Sequence, residues 1–333
     1  GTWNLTGSGG TNTGSLVMRD GTLNVTGGAF GSLSSTVFGG GQLNLVSGNQ
    51  TFGDATLVSG TASRITVGSG AVFTLGSSPI TRGAGSVLAF DTSAGGGASI
   101  ASAMAPRVLG FASVTDATGT GLAYADGSNI VRLNSFTTLT DSSAEASTNY
   151  STAGMASNPL WWSNGVAARS VGSLTFDASA GNQVVHLGAV GNVLTLVGGA
   201  VQKVGANDAT LAGGQLGIAN SDVIIQQNGT GVLNVNSAFG GGSGGLIKLG
   251  GGTVQLTGGF RTVAATLNGT TVVTVPDGSV LAVGQAVTGG GIAPGTTVTA
   301  ISGNTVTLSA VALGAGTSAL TFGTGNAYTG ATY

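Results

Sequence analysis

His186 is the only histidine of the chain and the first candidate for acid–base chemistry; it lies in the stretch NQVVHLGA. Side chains on a β-strand alternate between its two faces, which places His186 with Val184 and opposite Val185 and Leu187. A catalytic or metal-binding histidine needs partner groups, and the neighbouring sequence offers none. We therefore expect His186 to have a structural role.

Carboxylate pairs are the second candidate, because two facing carboxyl groups hydrolyse glycosidic bonds. Most of the 11 acidic residues stand beside Gly, Ala or Ser, where Asp side chains commonly cap turns. Asp116 with Asp126, and Asp141 with Glu145, are the only close pairs. The stretch DGSN at 126–129 is interpreted as a turn, and no repeated GGxGxD phrase indicates calcium. We therefore expect no catalytic site, no metal site and no cofactor.

Trp161 and Trp162 form the best candidate contact site. Adjacent residues of a strand point to opposite faces, so one ring is expected to be buried and the other exposed. An exposed indole stacks on a sugar ring, on a neighbouring subunit or on a loop of the same chain. The sequence leaves these three partners open, with packing inside the chain as the default.

Few charges surround these candidates. Only 6% of the 333 residues are charged, the net charge is -2, and the 9 Lys and Arg residues are scattered. Without a basic stripe, nucleic acid is not an expected partner. The chain has no cysteine, which excludes disulfides and thiolate metal sites. Its apolar runs are far shorter than the roughly 20 residues that cross a bilayer, so no membrane span is expected.

A repeated sequence phrase indicates the strands that must position these side chains. GTWNLTG at 1–7 returns as GTLNVTG at 21–27 and as GQLNLVSG at 41–48. Apolar and polar residues alternate within each phrase, as on a half-buried β-strand. Four columns of equivalent residues result: Gly1, Gly21 and Gly41; Trp3, Leu23 and Leu43; Asn4, Asn24 and Asn44; Leu5, Val25 and Leu45.

A strand that recurs about every 20 residues predicts an all-β fold, a parallel β-helix whose coils stack like residues on like. The Trp/Leu columns are then expected in the core and the Asn column in an outward ladder. The competing fold is a set of antiparallel sandwiches, whose strands need not resemble one another. Outside any insertion, about 270 residues at about 4.8 Å per coil predict a single rod of roughly 60 Å.

Two stretches interrupt the repeat and divide the chain. We expect β-helix coils at 1–97, an irregular loop or cap-like insertion at 98–168, and further coils at 169–259. The segment 260–324 is dense in turn signals and is predicted to be a small all-β module inserted into the solenoid. Residues 325–333 are expected to form a last β-helix strand.

The sequence GGLIKLGGGTVQLTGG at 244–259, followed after the module by GNAYTGATY at 325–333, resembles the autotransporter-associated β-strand repeat. The residues that fit its two halves are Leu246, Lys248, Gly252, Thr253 and Leu256, and Asn326, Tyr328, Thr329, Gly330 and Thr332. The module between the halves departs from the family pattern. The resemblance implies a right-handed parallel β-helix exported to the surface of a bacterium.

These features predict a non-enzymatic structural protein, extracellular or on the bacterial surface, that is a segment or subunit of a fibre. Solenoid ends are unpaired strand edges, so copies of the chain are expected to meet head to tail through Trp3, Leu5, Tyr328 and Tyr333. The alternatives are a monomeric adhesin that binds glycans through Trp161 or Trp162, and a polysaccharide-degrading β-helix. The chain lacks an initiator Met, so it is expected to be a mature product or a piece of a longer protein.

Overall fold

A computed structural model describes residues 1–162, 168–217, 222–240, 244–257, 261–279, 281–323 and 332. These residues form strands and turns only, arranged as a β-solenoid of about 11 turns with stacked parallel strands. The predicted parallel β-helix is therefore confirmed, and the antiparallel sandwich is excluded by the parallel pairing from coil to coil.

The first stack of coils runs to residue 116 and has two parallel sheets. Its strands are β1 (Thr2–Thr6), β2 (Ser15–Met18), β3 (Thr22–Thr26), β4 (Leu33–Phe38), β5 (Gly41–Ser47), β6 (Asn49–Leu57), β7 (Ala62–Val67), β8 (Val72–Leu75), β9 (Thr81–Arg82), β10 (Val87–Asp91), β11 (Ser99–Ser102) and β12 (Arg107–Asp116). One sheet has the order β1-β3-β5-β7-β10-β12 before it continues antiparallel, and the other has the order β11-β8-β6-β4-β2 with β9 beside β6.

The repeated phrase pairs with itself in register, as the sequence predicts. Leu23 and Leu43 face each other in the core, and both are buried. On the outer surface, Nδ2 of Asn24 donates to Oδ1 of Asn4 at 2.6 Å, and Nδ2 of Asn44 donates to Oδ1 of Asn24 at 2.7 Å. The glycine column has its own cause, since Gly21 has a φ of 83° and a side chain there would collide with the Gly1 carbonyl.

The stretch 98–168 corrects the sequence-based expectation of an irregular insertion. It contains β11 and β12, which continue the coils, and an antiparallel hairpin of β13 (Gly119–Ala125) and β14 (Ile130–Arg132) beside β12. The hairpin ends the parallel sheet, so only this part is cap-like. The phrase is absent because β12 packs on both faces, which removes the apolar–polar alternation.

The second stack carries its own core, built around Trp162, Leu174, Phe176 and Leu211. Its strands are β15 (Thr137–Thr138), β16 (Asn149–Ser151), β17 (Leu160–Trp161), β18 (Ala168–Asp177), β19 (Gln183–His186), β20 (Val193–Val204), β21 (Ala209–Ala212), β22 (Gln215–Gly217), β23 (Val223–Gln227), β24 (Leu233–Val235), β25 (Ala238–Phe239), β26 (Leu246–Leu249) and β27 (Val254–Leu256). One sheet orders β15-β16-β18-β20-β22-β25 with β23 and β26 alongside, and the other orders β17-β19-β21-β24-β27.

The predicted inserted module occupies 261–323. It is a six-stranded antiparallel sheet in the order β30-β33-β28-β29-β32-β31 with a separate apolar core. Its strands are β28 (Arg261–Asn268), β29 (Val272–Thr274), β30 (Ala286–Gly289), β31 (Val298–Ser302), β32 (Thr305–Leu308) and β33 (Ala315–Gly323). After the module, Thr332 pairs in parallel with Leu246, so the chain returns to the second stack.

The two stacks meet side-on, which corrects the expectation of a single rod. The outer face of β12 packs against the outer face of β20, where Val108 and Leu122 form a small apolar cluster with Ala200. The approach is close because Gly110 faces Gly198, and a side chain on Gly110 would collide with the Gly198 carbonyl. Glycine at this crossing therefore lets the two backbones touch.

Candidate functional site

The first candidate site is the N-terminal edge, formed by β1 and β2 at the start of the first stack. Within the described residues, β1 pairs only with β3. Trp3 belongs to the core column, yet 78% of it is exposed, whereas Leu23 beneath it is 9% exposed. A groove of about 260 Å³ runs beside Trp3, Leu16 and Met18 at this edge, and a larger one of about 420 Å³ lies between the two stacks. The core of the stack is thus open at this edge.

The second candidate site is the C-terminal edge, formed by β27 at the end of the second stack. β27 pairs with β24, and no described residue pairs with its other side. Leu256 lies over the buried Val235, yet 41% of it is exposed, and Val254 is half-buried over Leu233. Core columns therefore reach the surface at both edges.

Two of the four residues predicted for end-to-end contact lie at the N-terminal edge, and the other two lie outside the described residues. Trp3 and Leu5 lie side by side on β1, with their side chains on the core face, and Leu5 is half-buried. Tyr328 and Tyr333 lie outside the described residues. The exposed N–H and C=O groups of an edge strand hydrogen-bond readily to another strand, so both edges have the chemistry of strand addition.

The third candidate site is the tryptophan pair, which is arranged as strand alternation predicts. Trp162 is 1% exposed, and its Nε1 donates to the Ser143 carbonyl at 2.7 Å. Trp161 is 40% exposed on the outer face of β17. Its ring stacks on His186 with centroids 4.0 Å apart and an interplanar angle of 27°. The His186 ring therefore packs against one face of the Trp161 indole.

His186 itself has the structural role expected from the sequence. It is fully buried, its Nδ1 accepts the Gly188 N–H at 2.9 Å, and its Nε2 faces the Leu281 carbonyl of the module. These partners require a neutral ring protonated at Nε2. Burial lowers the pKa of His186 to about 4, against the opposing effect of the Leu281 carbonyl. The N–H of Val190 donates to the Val283 carbonyl at 3.0 Å, so the module is held at two points.

We expect the His186→Gln variant to lose the pH dependence of stability between pH 6.5 and about 4. Between these values the unfolded chain binds a proton at residue 186 that the folded chain does not. Stability of the unmodified chain should therefore fall on acidification through this window, by about 3 kcal/mol. Glutamine keeps one donor and one acceptor but does not titrate. Urea unfolding at pH 7 and pH 4.5 measures the difference.

The carboxylates provide the internal reference for this experiment. The pKa of Asp91, Asp116 and Asp222 is lowered from 3.8, so their contributions are lost only below the window. An equal loss of stability in the His186→Gln variant would contradict the assignment to His186.

Of the two close carboxylate pairs named from the sequence, Asp116 and Asp126 serve structural purposes. Asp126 accepts the N–H groups of Ser128 and Asn129 at 2.8 and 2.6 Å, which confirms the predicted turn. Asp116 accepts from Nε of Arg132 at 2.9 Å and from the Thr118 N–H at 2.8 Å. No group of three His, Asp or Glu side chains suited to a metal ion occurs in the described part of the chain.

Asp222 was not predicted from the sequence to have a role, and it is the most buried of the three aspartates that pair with an arginine. It is 4% exposed, pairs with Arg82 of the first stack, and accepts the N–H groups of Gly85 and Gly245 at 2.9 and 2.7 Å. Burial alone would raise the pKa of Asp222, but these three donors together lower it. Asp222 thus joins the two stacks. Its partner lies 140 residues away, a distance at which no local pattern predicts pairing.

None of the described residues belongs to a helix long and apolar enough to cross a membrane. Comparison with protein-family models, curated proteins and solved structures finds no match to this chain.

Proposed function

We propose that this chain is a non-enzymatic structural protein of the bacterial cell surface, a segment or subunit of an extracellular fibre built by head-to-tail stacking of β-helical coils. The observation that carries the proposal is the exposure of Trp3. An indole in a core column, 78% exposed on an edge strand, is a surface that another coil would bury.

The other end of the first stack supports this interpretation by contrast. There the β13–β14 hairpin adds antiparallel strands to β12 and ends the parallel sheet. Solenoids normally protect their ends in this way, because a bare edge recruits other strands. The hairpin thus caps this end of the first stack, whereas at the other end β3 is the only described strand that pairs with β1.

The bacterial surface location rests on the resemblance of residues 244–259 and 325–333 to the autotransporter-associated repeat. Composition agrees with a mechanical role, since only 6% of residues are charged and the strands are held by main-chain ladders. Three of the aspartates form ion pairs with arginines, which leaves them unsuited to act as catalytic acids.

Electron microscopy and sedimentation of the purified chain test the proposal. We expect filaments, with an average mass that rises with protein concentration. Particles that stay monomeric up to about 100 μM, a concentration that would reveal even weak association, would contradict it.

The geometry of Trp161 favours glycan binding as a second candidate function. An indole that stacks on His186 and is 40% exposed offers an apolar face to a sugar ring. If the protein binds surface glycans here, Trp161→Ala should weaken binding at least about 10-fold, the loss of one aromatic contact. Titration with soluble bacterial and host oligosaccharides measures this. Trp3→Ala is the matched control, and equal loss in both variants would exclude a site at Trp161.

A further inference from the structure

We propose that the contact between successive copies is one in-register strand pair, β27 of one copy on β1 of the next. In this pairing Val254 lies on Trp3, Gln255 on Asn4 and Leu256 on Leu5. The inference rests on the fibre function proposed above and names its partner surface, which is the C-terminal edge of a second copy.

The first argument is that the two edge strands carry the same phrase. Residues 252–258 read GTVQLTG, and residues 1–7 read GTWNLTG. Five of the seven positions are identical, and the other two keep their class, apolar for apolar and amide for amide. Wherever the phrase recurs inside the first stack, its copies pair in parallel and in register, as β1, β3 and β5 do. Pairing of phrase with phrase is therefore the rule of this fold.

The second argument is the continuity of the core. Trp3 and Leu5 lie on Leu23 and Val25, while Val254 and Leu256 lie on Leu233 and Val235. The proposed register joins these half-columns and buries the two exposed apolar side chains, Trp3 at 78% and Leu256 at 41%. A shift by one residue would turn both core residues to the outside.

The third argument is the outer amide ladder. In the first stack each amide donates through Nδ2 to the Oδ1 of the preceding one, and Asn4 is the first member. Gln255 is exposed and occupies the same outward position on β27, over Asn234. The proposed register places the Gln255 carboxamide against Asn4 and extends the ladder across the contact.

The fourth argument is direction. Among the described residues, the side of β27 that has no partner faces onward along the chain and that of β1 faces backward, as in any two consecutive coils. Joining them is a heterologous contact that repeats indefinitely. Among the described residues, the module's hydrogen bonds to the second stack are at His186 and Val190, and β19 lies three strands from β27 in the sheet.

Cysteine cross-linking tests the register without background, because the chain has no cysteine. Directly opposed residues of neighbouring strands lie about 4.8 Å apart, within the range of a disulfide. Oxidation of the Asn4→Cys/Gln255→Cys double variant should give a ladder of covalent dimers, trimers and longer species on a non-reducing gel. The Asn24→Cys/Asn44→Cys variant should close within one chain. Asn234 lies beside Gln255 on the next strand inward, one strand further from the contact, so the Asn4→Cys/Asn234→Cys variant should give no ladder.

A charge exchange provides a second readout that needs no oxidation. Lysine at both positions 4 and 255 should weaken association at least about 10-fold, and Asn4→Lys with Gln255→Glu should restore it, since opposed like charges repel. Filaments that persist with neither a 4–255 ladder nor a charge effect would overturn the register and leave the fibre function standing. An unmodified chain that forms no filaments, together with no ladder, would overturn both.

Discussion

Replacing Trp3 by lysine is expected to raise the protein concentration at which filaments form at least about 100-fold, the effect of losing an interface hot spot. The indole is 78% exposed in the single chain, so its loss should change the free energy of unfolding by less than about 1 kcal/mol. In the proposed filament the same position lies in the core column, where an ammonium group would be buried without a partner. Filament formation followed by sedimentation, with urea unfolding in parallel, measures the two effects.

Leu313→Lys is the matched control for this variant. Leu313 is 67% exposed on the module and belongs to neither edge strand, so the substitution removes a comparable apolar surface and adds the same charge. It should leave the filament-forming concentration unchanged. If both lysine variants weakened assembly alike, the effect would come from the added charge in general. That result would contradict the prediction that the N-terminal edge forms the contact between copies.

Replacing Asp222 by alanine is expected to lower the free energy of unfolding by about 3–5 kcal/mol, the range for breaking a buried ion pair. The variant leaves the Arg82 guanidinium at the junction without its carboxylate partner, and it orphans the N–H groups of Gly85 and Gly245. Because the folded pKa of Asp222 is depressed, its contribution is present above the ordinary value of 3.8 and is lost as pH falls below it. Urea unfolding at pH 7 measures the loss.

Asp116→Asn provides the comparison. Asp116 also pairs with an arginine, but its side chain is 33% exposed, so the expected cost is at most about 1 kcal/mol. Similar costs for the two variants would show that the junction between the stacks contributes little to stability.

Strand identity and stacking were predictable from particular residues. The alternation in Trp3-Asn4-Leu5 and its return at Leu23 predicted parallel strands, a core column and an amide ladder, all of which the structure contains. The same alternation predicted that one of Trp161 and Trp162 is buried and the other exposed, and the structure shows that Trp162 is the buried one. Turn signals likewise predicted the separate module, since Pro and Gly punctuate it at short intervals.

The sequence-based expectations were wrong where the outer face of a strand packs against residues that are distant in the sequence. The strand β12 was missed because Val108 and Gly110 pack against the second stack, which makes its pattern apolar on both faces. The single-rod expectation failed for the same reason, since no residue in the first stack encodes which later strand will lie against it.

The sequence alone, then, determined the coil. Two short-range patterns specify it: side chains alternate every two residues along a strand, and equivalent strands recur about every 20 residues, so that like residues stack on like. What only the tertiary structure decided is how the coils are grouped. The pairs Arg82–Asp222 and His186–Leu281 are separated by 140 and 95 residues, and the glycine faces between the stacks carry no side chains that specify a partner. Such contacts arise only once the backbone has brought the surfaces together.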